Sequence, residues 1–174
     1  MNRHKGAPRT AARTRRNIAA YNFQEQAGFL LRKAYQWHSQ LFQRMCPDKQ
    51  LTSAQFAVLC AVRDAGTCSL SDIGRAVVMD PATTRGIVTR LAERQLVTLE
   101  QDHVDKRRMI VDLSARGREL LEEVIPHAIA ITEATLEPLN PAERIALIHL
   151  LRKLPNAGGV EGADDAWSQG PGES

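Results

Sequence analysis

The stretch from Asp80 to Gly117 constrains the fold of this chain more than any other part of the sequence. Asp80 and Pro81 form a strong helix start, because the carboxylate accepts free backbone N–H groups and proline costs nothing at the first helical position. Two short runs rich in strand-forming residues follow, at 96–101 and 109–113, and a charged turn separates them. This order of helix, strand, basic turn and returning strand predicts a winged helix-turn-helix over residues 50–113, a fold that reads duplex DNA.

The helix that begins at Asp80 has the pattern of a recognition helix. At 100° per residue, Thr84, Ile87, Val88 and Leu91 share one side and should pack on the core. The opposite side presents Ala82, Gly86 and Thr89, with Thr83, Arg85 and Arg90 on its flanks. A glycine in mid-helix costs about 0.5–1 kcal/mol relative to alanine, which favours a close approach of this backbone to another surface. We predict that this surface is the major groove; the alternative is a solvated helix with incidental small residues.

The charged turn predicts a wing that contacts DNA. Three consecutive cations lie in it, Lys106, Arg107 and Arg108. An arginine on a wing can enter a narrow minor groove, where the electrostatic potential is most negative. Asp105 is expected to brace the turn or orient an arginine, since phosphates would repel it. Taken alone, such a hairpin tip is more often simply solvated.

Helices on either side of this unit predict a homodimer. Residues 18–46 read as one long helix that ends before Pro47, with a wide apolar stripe that includes Phe23, Leu30, Leu31, Trp37 and Leu41. Ser114 should cap a helix in which Pro126 is predicted to produce a kink or an interruption. Asn140 and Pro141 should open a last helix that ends before Pro155. The apolar surface of residues 18–46 and 129–154 exceeds what one small domain buries, so we expect both segments to form dimerisation helices.

Composition separates the two ends from the body. The formal net charge of the 174 residues is +3. Residues 1–17 carry six bases and no acid, and predict a disordered basic arm that either touches DNA phosphates or only solubilises the chain. Residues 155–174, rich in glycine and acid, predict a disordered tail. No apolar run approaches the roughly 18–20 residues of a membrane span, and we expect a cytoplasmic protein with no membrane partner.

Catalysis, metal binding and cofactor binding are not predicted. The five histidines are scattered, and no glycine-rich phosphate loop or catalytic triad order is present. The three cysteines, Cys46, Cys60 and Cys68, are not spaced like metal ligands, and buried reduced thiols are expected.

Combined motifs resemble the MarR family of bacterial winged-helix regulators. The wing matches as Asp102-x-x-Asp105-Lys106-Arg107 followed by Val111-Asp112-Leu113-Ser114-Ala115-Arg116-Gly117. Further matches are Leu51-Thr52-x-x-Gln55-Phe56 and Leu91-x-x-Arg94-x-Leu96-Val97, so the resemblance covers roughly residues 20–154. It implies a mainly α fold with a small β-wing and N- and C-terminal dimerisation helices, with Arg107 as the wing arginine. It also implies major-groove contacts at Ala82, Thr83, Thr84, Arg85 and Thr89. This chain departs from the family in having Ser114 for threonine and Gln95-Leu96 for Gly-Leu.

A finer similarity, over residues 25–36 and 78–83, is to a subgroup that represses the degradation of aromatic or pyridine carboxylic acids. It implies a repressor that a small acid such as 6-hydroxynicotinate releases from a pseudo-palindromic operator. Aromatic walls and donors for a carboxylate place the expected effector site on the first helix, at Phe29, Arg32, Tyr35, Gln36 and His38. The same aromatic residues would equally suit a dimer core. The alternative function is a thiol-based redox sensor of the same family.

Overall fold

A computed structural model describes residues 21–156, with side chains to residue 154. The predicted basic arm (1–17) and the part of the predicted acidic tail beyond residue 156 lie outside the described residues. Contacts divide the chain into two compact units that meet between Trp37 and His38. The fold is mainly α with a three-stranded antiparallel sheet, as the sequence predicted. Within the described part, no helix is long and apolar enough to cross a membrane.

The first long helix begins later than the sequence predicted. A short 3-10 helix, Phe23–Glu25, precedes α1, which spans Ala27–Met45. Asn22 caps the 3-10 helix by accepting a hydrogen bond from the Gln24 N–H at 3.0 Å, and Gln26 is extended, with φ −74° and ψ 135°. Over the described residues 21–26 the predicted single helix is therefore wrong, because a local side-chain cap competes there with helix propagation.

Side-chain caps set the starts of the next three helices. The helix α2 spans Ser53–Ala65, and Thr52 and Gln55 form a capping box at its start. A second capping box, made by Ser69 and Asp72, opens α3 at Leu70–Ala76. Asp80 caps α4, Pro81–Glu93, with proline at the first helical turn. The helix α3, the turn at 77–80 and α4 are the helix-turn-helix.

The sheet holds the wing. The predicted strands are present as β2, Val97–Gln101, and β3, Met109–Leu113. A third strand, β1 at Cys68–Ser69, was not predicted, because two residues are too few to show an alternating pattern. It pairs with β3, so the order is β1-β3-β2, and Val111 lies between Cys68 and Leu99.

Two helices complete the described part of the chain, and both pass through a proline. The helix α5 spans Ala115–Leu136 and continues through Pro126, so the expected interruption is wrong. Its buried residues lie on both sides of the proline, at Val124 and Ile131, and their packing outweighs one lost backbone hydrogen bond. The helix α6, Pro141–Asn156, also extends past the end predicted at Pro155.

Close packing at Gly117 fixes the wing against the end of α4. A Cβ atom added at Gly117 would lie 2.0 Å from the carbonyl oxygen of Leu96, so no side chain fits there. Ser114, next to it, donates from Oγ to the Gln95 carbonyl at 2.6 Å. Gln95 has φ 60°, the left-handed region that favours glycine. This junction joins the end of the recognition helix, the start of β2 and the start of α5.

Candidate nucleic-acid interface and effector cavity

The N-terminus of α4 is held by Asp80. Its Oδ1 accepts the Thr83 N–H at 2.9 Å, and its Oδ2 accepts the Thr83 hydroxyl at 2.6 Å. These two hydrogen bonds lower the pKa of Asp80, so the cap is a carboxylate at neutral pH. The Thr83 hydroxyl proton is thereby committed to the cap, which leaves this oxygen as an acceptor for a partner.

Of the residues predicted to contact DNA from α4, five are exposed, at Ala82, Thr83, Arg85, Thr89 and Arg90. Thr84 is the exception and corrects the expectation carried over from the family. Its side chain is 1% exposed, and its hydroxyl donates to the Asp80 carbonyl at 2.9 Å. A Cβ atom at Gly74 would lie 3.1 Å from the Thr84 oxygen. Thr84 therefore packs α4 on α3 and is not available to DNA.

The exposed face of α4 has no side chain projecting from it at Gly86. Beyond the helix's own backbone, the nearest atom that a Cβ there would meet is a terminal nitrogen of Arg90, at 3.5 Å. Arg90 lies along the helix and donates from Nε to the Gly86 carbonyl at 3.0 Å. No packing within the described chain requires glycine here, so the cost of this residue to the helix has no internal explanation.

The turn between α3 and α4 is strained. Val78 has φ 52°, which is a genuine outlier for a β-branched residue, and its side chain is 77% exposed. Its N–H bonds to the Arg75 carbonyl at 3.3 Å, and the next N–H, of Met79, bonds to the Gly74 carbonyl at 2.9 Å. These bonds hold the turn that leads into the cap of the recognition helix.

Two aspartates shape the wing. Asp102 accepts the N–H groups of Val104 and Asp105, at 2.8 and 3.3 Å, and these bonds lower its pKa. Asp105 accepts the Arg107 N–H at 3.0 Å. The carboxylate therefore braces the turn backbone, one of the two roles predicted for it. Lys106 and Arg107 are exposed at the tip.

Arg108 lies at the base of the wing instead of its tip. Its backbone bonds to the Asp105 carbonyl and to the Asp102 N–H, at 2.9 and 3.0 Å. Its guanidinium lies 3.8 Å from Asp72 in α3, the residue of the capping box. This contact links the wing to the helix-turn-helix, and the sequence pattern gave no sign of it.

The sequence pattern also did not predict an ion pair at the end of α4. Arg94, at the end of α4, forms an ion pair with Asp48, and both side chains are largely buried. The family resemblance included Arg94 in a motif, but only the fold brings it to Asp48, 46 residues away. The pair ties the recognition helix to the segment before α2.

A cavity of about 370 Å³ lies inside the second unit, a volume suited to a small molecule. The helices α1 and α2 contribute His38, Phe42, Ser53, Phe56, Ala57 and Cys60. The end of α3 and the middle of α5 contribute Ala76, Val77, Ala128, Ile131 and Thr132. Its walls are mostly apolar, with two aromatic rings, Phe42 and Phe56, whose centroids are 5.6 Å apart.

Of the five residues predicted to bind the effector, one, His38, lines this cavity. Burial lowers the pKa of His38, so its ring is neutral at neutral pH. The other four predicted residues belong to the first unit. Phe29 there packs on Phe23 with ring centroids 4.6 Å apart, whereas Arg32, Tyr35 and Gln36 are exposed.

Comparison with known proteins identifies the family. Residues 51–109 match the MarR family. The transcriptional repressor NicR of Pseudomonas putida is 48% identical over 134 residues, which are 77% of this chain and 85% of NicR. The chain belongs to the MarR family. It is therefore a DNA-binding transcriptional regulator, and members of this family are not enzymes. The transcriptional regulator HosA of Escherichia coli O111:H- is 35% identical, over 73% of this chain and 93% of HosA.

A solved structure extends the similarity. Bordetella bronchiseptica BpsR, whose DNA binding is regulated by 6-hydroxynicotinic acid, is 48% identical, with a TM-score of 0.73. The match covers 78% of this chain and 98% of BpsR. Residues 25–36 and 78–83 predicted a similarity to a subgroup of nicotinate-linked repressors. The matches to NicR and BpsR confirm that similarity.

Proposed function

We propose that this chain is a homodimeric repressor that binds a pseudo-palindromic operator through α4 and the wing. The observation that supports this most is the exposed face of α4, where Arg85 and Thr89 flank a glycine without a packing role. Lys106 and Arg107 at the wing tip supply cations for phosphates or a minor groove. A protein of this function works in the cytoplasm, where bacterial DNA lies.

The dimer is proposed through exposed apolar side chains on α1 and α6. On α1 they include Leu30, Leu31 and Tyr35 at 50%, 45% and 58% exposure. On α6 they include Ile145, Leu150 and Leu154 at 73%, 55% and 60%. Apolar side chains this exposed on two helices are typical of an interface that is covered in the assembled protein. The segments 18–46 and 129–154 remain the proposed dimerisation regions, with α1 starting at Ala27.

The proposed effector is a small aromatic or pyridine carboxylic acid, with 6-hydroxynicotinate as the first compound to test. Support comes from the relatives NicR and BpsR and from the aromatic cavity that includes His38. The positions Phe29, Arg32, Tyr35 and Gln36 lie in the first unit and remain a separate prediction for effector binding. The ligand must prefer the arrangement that does not bind DNA, because equal affinity for both arrangements would shift nothing.

An operator-release titration tests this function. Purified full-length chain is bound to a labelled fragment of its own promoter, with random DNA of equal length as the control at the same salt. Specific binding that 6-hydroxynicotinate reverses at up to millimolar concentration supports the proposal. Equal affinity for both fragments would refute sequence-specific repression, and specific binding without release would refute the effector.

Thiol-based sensing is the second candidate, and the described cysteines disfavour it. A redox sensor needs an accessible thiolate. Cys46 and Cys68 are buried, and burial raises the pKa of Cys60 and of Cys68 to about 11 and also raises that of Cys46. All three thiols should therefore react slowly with iodoacetamide at neutral pH, and a single fast-reacting cysteine would revive the redox function.

A further inference from the structure

A hydrogen-bond chain from α5 to His38, which lines the cavity, fixes the position of the imidazole proton. Thr135 Oγ1 lies 2.7 Å from the Ile131 carbonyl oxygen, and two oxygens this close need a proton between them. The hydroxyl has one proton, so it faces His38 with a lone pair. His38 Nδ1 lies 3.0 Å from that oxygen and must bring the hydrogen. The neutral ring is therefore protonated on Nδ1, and Nε2 is an acceptor.

A second wall group is an acceptor for the same reason. Thr132 Oγ1 donates to the Ala128 carbonyl at 3.1 Å, which uses its only proton. Among the described residues that line the cavity, none is Asp, Glu, Lys or Arg, so none of them stabilises a charged imidazolium. Ser53 can donate or accept, and the Cys60 thiol is neutral. The polar groups with fixed protons thus offer lone pairs to a bound molecule.

We propose that this cavity selects an aromatic ring that carries an N–H or O–H donor, and that the donor binds His38 Nε2. His38 is thereby the specificity-determining residue and Thr135 its positioning residue. The inference rests on the proposed effector site and adds a chemical rule to it. 6-Hydroxynicotinate carries a donor in either tautomer, as a ring N–H or an O–H. Nicotinate has only an acceptor at its ring nitrogen, so its binding would leave two lone pairs facing each other.

Binding of matched pairs of acids tests the rule. Calorimetric affinities of the full-length protein are compared for 6-hydroxynicotinate against nicotinate, and for 4-hydroxybenzoate, its carbocyclic analogue, against benzoate. We expect a preference of about 10- to 100-fold for the hydroxylated member of each pair. His38→Phe keeps an aromatic ring and removes the acceptor, so both preferences should fall to near one. His127→Phe, an exposed histidine on α5, is the matched control and should retain them.

Thr135→Val separates a positioning role from a merely structural one. Without the hydroxyl, the neutral ring is free to carry its proton on Nε2 and to donate to the nicotinate nitrogen. Nicotinate should then bind more tightly than it does to the parent, a gain that loose packing would not produce. Nitrogen NMR of the free protein gives an independent reading, in which His38 should be protonated on Nδ1 in the parent and not predominantly so in Thr135→Val.

The outcomes distinguish this inference from the proposed function. Preferences that survive His38→Phe, or a parent His38 protonated on Nε2, overturn the inference even if 6-hydroxynicotinate releases the operator. A His38-dependent preference for 4-hydroxybenzoate over benzoate, with no binding of 6-hydroxynicotinate, supports the inference and refutes the named effector. Absence of binding by all four acids overturns both the inference and the effector, while operator specificity stands on its own measurement.

Discussion

At the scale of single residues, Gln95 takes a position that the family usually gives to glycine. Its φ of 60° costs a non-glycine residue about 1–2 kcal/mol, partly offset because glycine has more freedom in the unfolded chain. Gln95→Gly should therefore stabilise the protein by about 0.5–1 kcal/mol, measured by urea unfolding. Gln101→Gly, in β2, is the control and should be destabilising. A loss of stability in Gln95→Gly would mean that its side chain makes a contact that outweighs the backbone.

The two arginines of the proposed interface should differ in what they read. Arg85 is exposed on α4, and Arg85→Ala should cost about 1–3 kcal/mol of operator binding and relax specificity, if it contacts a base. Arg107→Ala should weaken binding more evenly among sequences and flatten the salt dependence. Arg63→Ala, at the exposed end of α2 and outside the proposed dimerisation segments, is the control. Competition binding at several salt concentrations measures all three, and parental affinity in both interface variants would refute the interface.

At the scale of elements, Gly86 separates helix stability from DNA binding. Because no rigid neighbour blocks a Cβ there, Gly86→Ala should stabilise α4 by about 0.5–1 kcal/mol. The added methyl group should nonetheless weaken operator binding if the helix backbone lies close to the groove. Thermal unfolding and operator titration on the same sample measure both effects. The comparison variant is Ala82→Gly, the reverse substitution one helical turn earlier. A Gly86→Ala variant that is more stable but binds the operator as the parent does would contradict a close approach of the α4 backbone to the groove.

Sequence patterns predicted the elements whose signals are local. The caps at Asp80 and Ser114, and the strands around the wing, follow from neighbouring residues and were found where expected. The third strand and the ion pairs Asp48–Arg94 and Asp72–Arg108 join residues far apart in sequence, so no local pattern carries them. Thr84 shows the same limit at the site. The helical period placed it on the core side, and the contact carried over from the family ignored that burial.

Only one residue of the predicted effector set, His38, lines the cavity, for a related reason. His38 was singled out for its imidazole beside aromatic residues on the same helix, which is a local signal. The rest of the cavity comes from α2, α3 and α5, whose approach to α1 depends on tertiary packing. Cys60 and Phe56 read as ordinary core positions in the sequence, and Thr132 and Thr135 gave no signal at all.

At the scale of the whole molecule, the chain should be a dimer in the absence of DNA. Leu150 is 55% exposed on α6, and Leu150→Asp would place a charge in the proposed interface, where its desolvation is costly. Sedimentation should show about twice the mass of the 19.3 kDa chain for the parent and a shift toward monomer for the variant. The control, Val104→Asp, introduces the same charge at an apolar residue of the wing that is 96% exposed, and this variant should remain dimeric. A monomeric parent that binds its operator tightly would contradict the two-half-site arrangement.

The strained turn at Val78 bears on how sensitive the regulator can be. A β-branched residue held at φ 52° raises the free energy of the turn by about 1–3 kcal/mol. That residue directly follows Val77 of the cavity wall and lies two positions before Asp80, the cap of the recognition helix. Any rearrangement that moves Val78 out of the left-handed region would release this strain energy. The strained residue lies between the cavity wall and the N-terminal cap of α4. A ligand that favoured such a rearrangement would need less differential affinity for the two arrangements, because relief of the backbone strain would supply part of the free energy.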